Sequence, residues 1–274
     1  MFIQEKIPWM GDISLRIREV AGSDYASCRI QKGLSLSFGD IDLAEEGTGF
    51  GVPVLKFGHK AIFPGCARIT KNIEKDKTSL TIDYDLNLWE RMAVKGKKIN
   101  SRTFYEMKGF LSSLHRECPH LRKILTHASS IARRTFGIVT RFEEIPSRGI
   151  VQVLYIIRAG NIHISVDTSR VKKYNCTGIM LMNEQGANYF DKYRDSSGLS
   201  LKGNAIGTWD ETFADEASFE DTSHRLEFTL QKVAGARLFR GRELVPGRLA
   251  WSGLAYSIPP DTPNFSYNIR MVCR

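Results

Sequence analysis

Leu80–Asn87 reads LTIDYDLN, and its reading decides the fold. Leu80, Ile82, Tyr84 and Leu86 fall on one parity, and Thr81, Asp83, Asp85 and Asn87 fall on the other. Successive side chains of an extended chain point to opposite faces, so this alternation predicts an antiparallel strand with one face in a core and one in water. The same period of two recurs at Ile13, Leu15 and Ile17, at Leu34, Leu36 and Phe38, and at Ile162, Ile164 and Val166. It returns at Leu226, Phe228 and Leu230, and at Phe265, Tyr267, Ile269 and Met271. Ile150 to Ile157 (IVQVLYII) is apolar on both parities and is expected to be covered on both sides. Gly58-His59 and Ala159-Gly160-Asn161 have the composition of hairpin turns. Roughly ten or more such segments exceed what one flat sheet accommodates. The expected class is mostly β: a large antiparallel β-sandwich formed by residues 1–274 as a single domain.

One region has a different period. Phe104, Met107, Leu111, Leu114 and Cys118 recur at steps of three and four, as do Leu121, Ile124, Leu125, Ala128 and Ile131 beyond Pro119. This predicts two amphipathic helices, an inserted helical hairpin at about 103–136.

The chain has 274 residues, is 42% hydrophobic and 25% charged, and carries a formal charge of +9. These are globular values. Excess base favours anionic partners, although net charge also serves plain solubility. The longest apolar run, 150–157, is far below the ~20 residues of a membrane helix, and the N-terminus lacks a secretory pattern, so no membrane partner and a cytoplasmic location are expected. Five scattered cysteines without a CxxC pair read as reduced thiols. No GxSxG, HExxH, GxxxxGKS/T or helix-opening GxGxxG is present, which lowers the prospects of a serine hydrolase, a zincin, a P-loop NTPase or a Rossmann enzyme. No cofactor and no metal site is expected. The glycines of Gly47-Thr48-Gly49-Phe50-Gly51 lead into a strand pattern and read as a turn or bulge rather than a phosphate loop. His115, Cys118, His120 and His127 cluster at the helix junction but match no zinc spacing.

Two stretches concentrate chemistry. Asp210–Asp221 (DETFADEASFED) holds six carboxylates and no base, in pairs five residues apart, a spacing that fits neither a helical nor a strand face. Asn183–Asp195 (NEQGANYFDKYRD) mixes acids, a guanidinium and rings. Carboxylates accept hydrogen bonds from sugar hydroxyls while aromatic rings cover the apolar C–H face. This makes Trp209, Asp210, Glu211, Tyr189, Asp191 and Arg194 candidate ligand-binding residues. Glu184, Glu211 and His163 are candidate catalytic groups, since acid–base work on a sugar needs a carboxylate or imidazole in reach of the reacting oxygen. The competing expectation is polyanion or nucleic-acid binding through Arg122, Lys123, Arg133 and Arg134 on the second helix. A third is a non-catalytic interaction protein whose acidic run docks on a basic surface.

The strand series, followed by LMNEQGANYFDKYRDSSG at 181–198 and GTWDETFADEASF at 207–219, resembles the supersandwich of galactose mutarotase-like domains over residues 149–272. The resemblance implies a carbohydrate-active or carbohydrate-binding protein, with a carbohydrate or sugar phosphate as partner. That family's epimerases pair a glutamate base with histidine acids; here His163 lies in a strand pattern and His224 beside a strand start, without a histidine pair at a matching motif. The sequence leaves oligomeric state and the existence of catalysis undecided.

Overall fold

Alternation of apolar and polar residues is satisfied by strands throughout. The computed structural model describes residues 6–17, 29–44, 47–58, 60–74, 77–94, 97–98, 138–245 and 249–273. The helical hairpin expected at 103–136, with Arg122, Lys123, Arg133, Arg134 and the histidines around Cys118, lies outside the described residues. Within them, the strands are β1 (Lys6–Met10), β2 (Ile13–Ile17), β3 (Leu34–Phe38), β4 (Ile41–Asp42), β5 (Gly49–Phe57), β6 (Lys60–Glu74) and β7 (Lys77–Val94). There follow β8 (Lys97–Lys98), β9 (Ile138–Glu144), β10 (Ile150–Arg158), β11 (Asn161–Asp167), β12 (Gly178–Gly186), β13 (Lys192–Asp195) and β14 (Ser200–Lys202). A 3₁₀ turn at Gly203–Ile206 precedes β15 (Asp210–Thr212), β16 (Glu216–Asp221), β17 (Leu226–Gln231), β18 (Arg237–Val245), β19 (Leu249–Ile258) and β20 (Asn264–Cys273).

The strands form one continuous antiparallel ladder. It folds into two halves. The first runs β14–β13–β16–β17–β20–β11–β10–β7–β6. The second runs β15–β18–β19–β12–β5–β3–β2–β1. The β5–β6 hairpin joins them. Both predicted hairpins are present, closed by the pairs Phe57↔Lys60 and Arg158↔Asn161.

The halves face each other across one hydrophobic cluster. It unites Leu36, Phe50, Leu181, Leu254 and Tyr256 of the second half with Ile82, Val153, Ile164, Phe228 and Ile269 of the first. Phe50 and Phe228 meet edge to face at 5.3 Å, and Tyr256 packs on Tyr267 at 4.8 Å. Buried hydroxyls are paired as their desolvation requires. Tyr84 and Tyr155 hydroxyls lie 3.0 Å apart, Tyr155 donates to the Phe50 carbonyl at 2.9 Å, and Tyr267 donates to Asn183 Oδ1 at 2.9 Å. Burial drives the Tyr84, Tyr155 and Tyr267 phenols well above their ordinary range.

The expectation for 150–157 is corrected. Val151, Val153, Tyr155 and Ile157 are buried, but Ile150, Leu154 and Ile156 are only half-buried, so this strand is covered on one face alone. Its neighbours β7 and β11 supply the hydrogen bonds, while the outer face of that half stays in contact with solvent.

Candidate functional site

The outer face of the second half brings three candidate residues together. Direct cross-strand pairs share a face, so the pairs Glu184↔Gly253, Gly241↔Gly253 and Glu243↔Trp251 place Glu184, Gly253, Trp251, Gly241 and Glu243 on one surface. The pair Glu211↔Phe239 extends that surface to β15. Trp209 completes it, packing against a satellite cluster on the same side that contains Val52, Val54 and Met182. The indoles of Trp209 and Trp251 stack at 4.7 Å and 16°. They fit because residue 241 is glycine: a Cβ there would lie 2.9 Å from both the Trp251 ring and the Trp209 backbone nitrogen.

Trp209 itself has a φ of +58°, a left-handed conformation that costs a bulky side chain about 1 kcal/mol or more. Stacking on Trp251 holds it there, with one side of the ring half-buried. Around it lie Glu211, paired with Arg237 at 3.5 Å, and Phe239, beneath the Arg237 guanidinium at 5.2 Å. An indole, a phenyl ring, a carboxylate and a guanidinium thus share one partly open patch.

Glu184 sits deeper on the same face and is 2% exposed. Its Oε2 accepts from the Thr48 amide at 3.1 Å and the Thr48 hydroxyl at 2.9 Å. Its Oε1 is buried without a hydrogen-bond partner among the described residues. Burial raises its pKa to about 7; the Thr48 hydrogen bonds and the Lys32 charge oppose the rise, and the Glu243 charge adds to it. Lys32, also buried, donates from Nζ to the Gly47 carbonyl at 2.9 Å. The glycine loop therefore does cradle a carboxyl group, but an internal one. Its other feature is a bulge: the β5–β12 register skips Gly51, whose φ is +78° and whose amide donates to Asn183 Oδ1 at 3.0 Å.

Glu184 and Glu211 lie on strands three ladder spacings apart, about 14 Å at the backbone. Paired glycosidase carboxyls stand roughly 5–10 Å apart. The Glu184 carboxyl turns to Thr48, on the β5 side of β12 and away from β15, while Glu211 pairs with Arg237, so the two are not aimed at one point.

The remaining candidates are dispersed. Asp210 turns to the opposite side of β15 and faces Arg240 at 3.8 Å. Tyr189 lies in the turn after β12, its ring 5.8 Å from His224. Asp191 pairs with Lys202 at 3.5 Å. Arg194 is on the first half, 3.4 Å from Glu220. His163 is there too, with Nδ1 3.0 Å from Asn268 Oδ1.

The acidic run is explained by its strand partners. Asp210 meets Arg240, Glu211 meets Arg237, and Glu216 meets Arg270 at 2.8 Å. Glu220 meets Lys192 at 2.7 Å, and Asp221 accepts from His224 Nδ1 at 2.6 Å. Four of the six carboxylates, Asp210, Glu211, Glu216 and Glu220, thus face cations of β13, β18 and β20, and Asp221 faces His224.

Sequence reasoning passed over Trp251, Thr48, Lys32, Arg237 and Phe239. Trp251 and Phe239 carried a signal, as aromatics within alternating strands. Lys32 and Thr48 carried none, since their role depends on a contact with a strand more than a hundred residues away. Among the described residues no group of three or more His, Cys, Asp and Glu is arranged to hold a metal, and no helix is long and apolar enough to cross a membrane.

No family model matches the chain, and no curated protein matches it. Among solved structures, the chain is similar to the α-N-acetylgalactosaminidase NagBb of Bifidobacterium bifidum in complex with GalNAc. The TM-score is 0.50 at 6% identity, over 98% of this chain and 36% of NagBb. The chain thus spans about a third of that enzyme's length. The Slr1438 protein of Synechocystis sp. PCC 6803 aligns over 100% of this chain and 97% of its own, at 6% identity and a TM-score of 0.44. At such identities the NagBb likeness is one of fold.

Proposed function

We propose that this protein is a carbohydrate-binding β-sandwich of the galactose mutarotase-like kind. Its sugar would lie over Trp209 on the outer face of the second half. The observation that carries this reading is the Trp209–Trp251 stack, held with a left-handed Trp209 beside the Glu211–Arg237 pair. Strained backbone is retained where the surroundings over-determine it, and such positions concentrate at ligand sites; the Trp209 ring is half-buried. The indole offers a flat apolar face to sugar C–H groups, and Glu211 and Arg237 offer an acceptor and donors for the hydroxyls. The fold likeness to an enzyme captured with GalNAc supports the ligand class by analogy. The proposal is one of binding; Glu184 is engaged by Thr48 and Glu211 by Arg237, in different directions.

The test is calorimetric titration with neutral mono- and oligosaccharides, GalNAc and galactose among them, on the intact chain and on Trp209→Ala and Glu211→Gln. Expected is saturable binding weakened about tenfold or more by each substitution. Binding that both variants retain unchanged would remove these residues from the site, and absence of binding across the panel would remove the function.

A further inference from the structure

The outer face of the first half carries a second site, chemically unlike the first. Two adjoining clefts, of about 250 and 220 Å³, share Asn161 and Asn268 as lining residues, and the larger runs on past Lys232 and Val233 to Tyr256 and Tyr267 at the edge of the core. The register explains why polar groups converge. Arg158↔Asn161, Asn161↔Arg270, Arg270↔Thr229 and Thr229↔Ser218 are successive cross-strand pairs, so these side chains form one transverse row over β10, β11, β20, β17 and β16. His163 and Asn268 form the next rung, His163↔Asn268.

This surface is rich in donors. Arg158, Lys232 and Arg270 line the clefts against a single carboxylate, Glu216, which Arg270 holds at 2.8 Å. With Asn268 Oδ1 accepting from His163 Nδ1, the Asn268 amide nitrogen is left as a donor. Thr229 is the independent observation. It lines the larger cleft, is 2% exposed, and its Oγ1 has no hydrogen-bond partner among the described residues. A buried hydroxyl without a partner costs about 1–3 kcal/mol, a cost that a bound acceptor removes.

We infer that this row binds a small oxyanion-bearing molecule, a phosphate or a carboxylate. Its charged oxygens would lie among Arg158, Asn161 and Arg270, with Thr229 donating from below. Guanidinium groups suit both anions, because their planar N–H fork matches two oxygens at once. The inference does not rest on the sugar site, which lies on the opposite outer face.

Inorganic phosphate, citrate and acetamide are titrated separately into the intact chain, into Arg158→Gln and Thr229→Val, and into Trp209→Ala as a control. Thermal melting of each variant establishes that it is folded, and Arg158→Gln, at an exposed position, serves where Thr229→Val is not. Phosphate or citrate should bind and acetamide, a neutral analogue of a carboxylate, should not. Arg158→Gln and Thr229→Val should each weaken binding about fivefold to tenfold, and Trp209→Ala should leave it unchanged. Response to phosphate alone or to citrate alone identifies the source of the oxyanion. Failure of both anions to bind at millimolar concentration overturns the inference. So does binding that survives in the folded variants, or binding that only Trp209→Ala abolishes.

Discussion

Replacing Glu184 by glutamine should stabilise the protein at alkaline pH and leave it nearly unchanged in mild acid. In the folded chain burial lifts this carboxyl from 4.5 to about 7. The folded state therefore holds a proton that the unfolded chain releases between those two values. Stability contributed by this proton is fully present below pH 4.5 and is lost as pH rises to about 7. Each factor of ten in acidity is worth about 1.4 kcal/mol, so the loss is roughly 1 kcal/mol at pH 5 and about 3 kcal/mol above pH 7. Glutamine keeps an oxygen for the Thr48 amide and hydroxyl and never ionises. The Glu184→Gln gain over the parent should accordingly grow by about 2 kcal/mol between pH 5 and pH 8. Urea unfolding of both proteins at pH 5, 6, 7 and 8 measures that difference, in which the titration of every other group cancels. Parallel curves would refute the argument by showing Glu184 to be solvated or fully compensated by Lys32. A variant weaker than the parent at pH 8 would show that the ionised carboxylate is the form the fold prefers.

Two further substitutions test the frame around the site. Gly51→Ala places a Cβ 2.5 Å from the Tyr155 hydroxyl at a φ of +78°, and should cost about 3 kcal/mol or more in urea unfolding; a loss under about 1 kcal/mol would mean the bulge relaxes freely. Asp221→Ala removes a fully buried carboxylate that accepts from the Ser223 amide at 2.9 Å and from His224 Nδ1 at 2.6 Å. About 2–3 kcal/mol should be lost with little dependence on salt, and a loss that 1 M NaCl erases would reassign the contact to surface attraction.

Strand periodicity was legible because it is local. Leu80, Ile82, Tyr84 and Leu86 are all buried on one side of β7, as their spacing alone predicts. The same rule failed at Ile150–Ile157, where hydrophobicity on both parities suggested a covered strand. A half-buried isoleucine on an outer sheet face gains from its neighbours without being enclosed, and sequence does not separate the two cases. The site was legible only in part. Glu184, Trp209 and Glu211 do share a face, but Tyr189, Asp191 and Arg194 fall elsewhere because β12 and β13 belong to different halves of the ladder. Proximity in sequence across that crossing does not become proximity in space.

The acidic run and the glycine loop show how misleading local composition becomes in an antiparallel sandwich. Six carboxylates within twelve residues look repulsive only while the chain is read as a line. Adjacent strands interleave it with Lys192, Arg237, Arg240 and Arg270, and alternation sends Asp210 and Glu211 to opposite faces. The exposed pairs, Glu211–Arg237 and Glu216–Arg270, are worth about 1 kcal/mol each at most, whereas Asp210–Arg240 and Lys192–Glu220 are largely shielded from water and lose more when one partner is removed. Gly47–Gly51 makes the complementary point. It presents an amide and a hydroxyl to an acceptor, as a ligand loop does, yet that acceptor is the Glu184 carboxyl of the same chain. The loop's donors are taken by an internal carboxyl, and the row proposed for an external anion is the one from Arg158 to Thr229, whose buried Thr229 hydroxyl has no partner among the described residues.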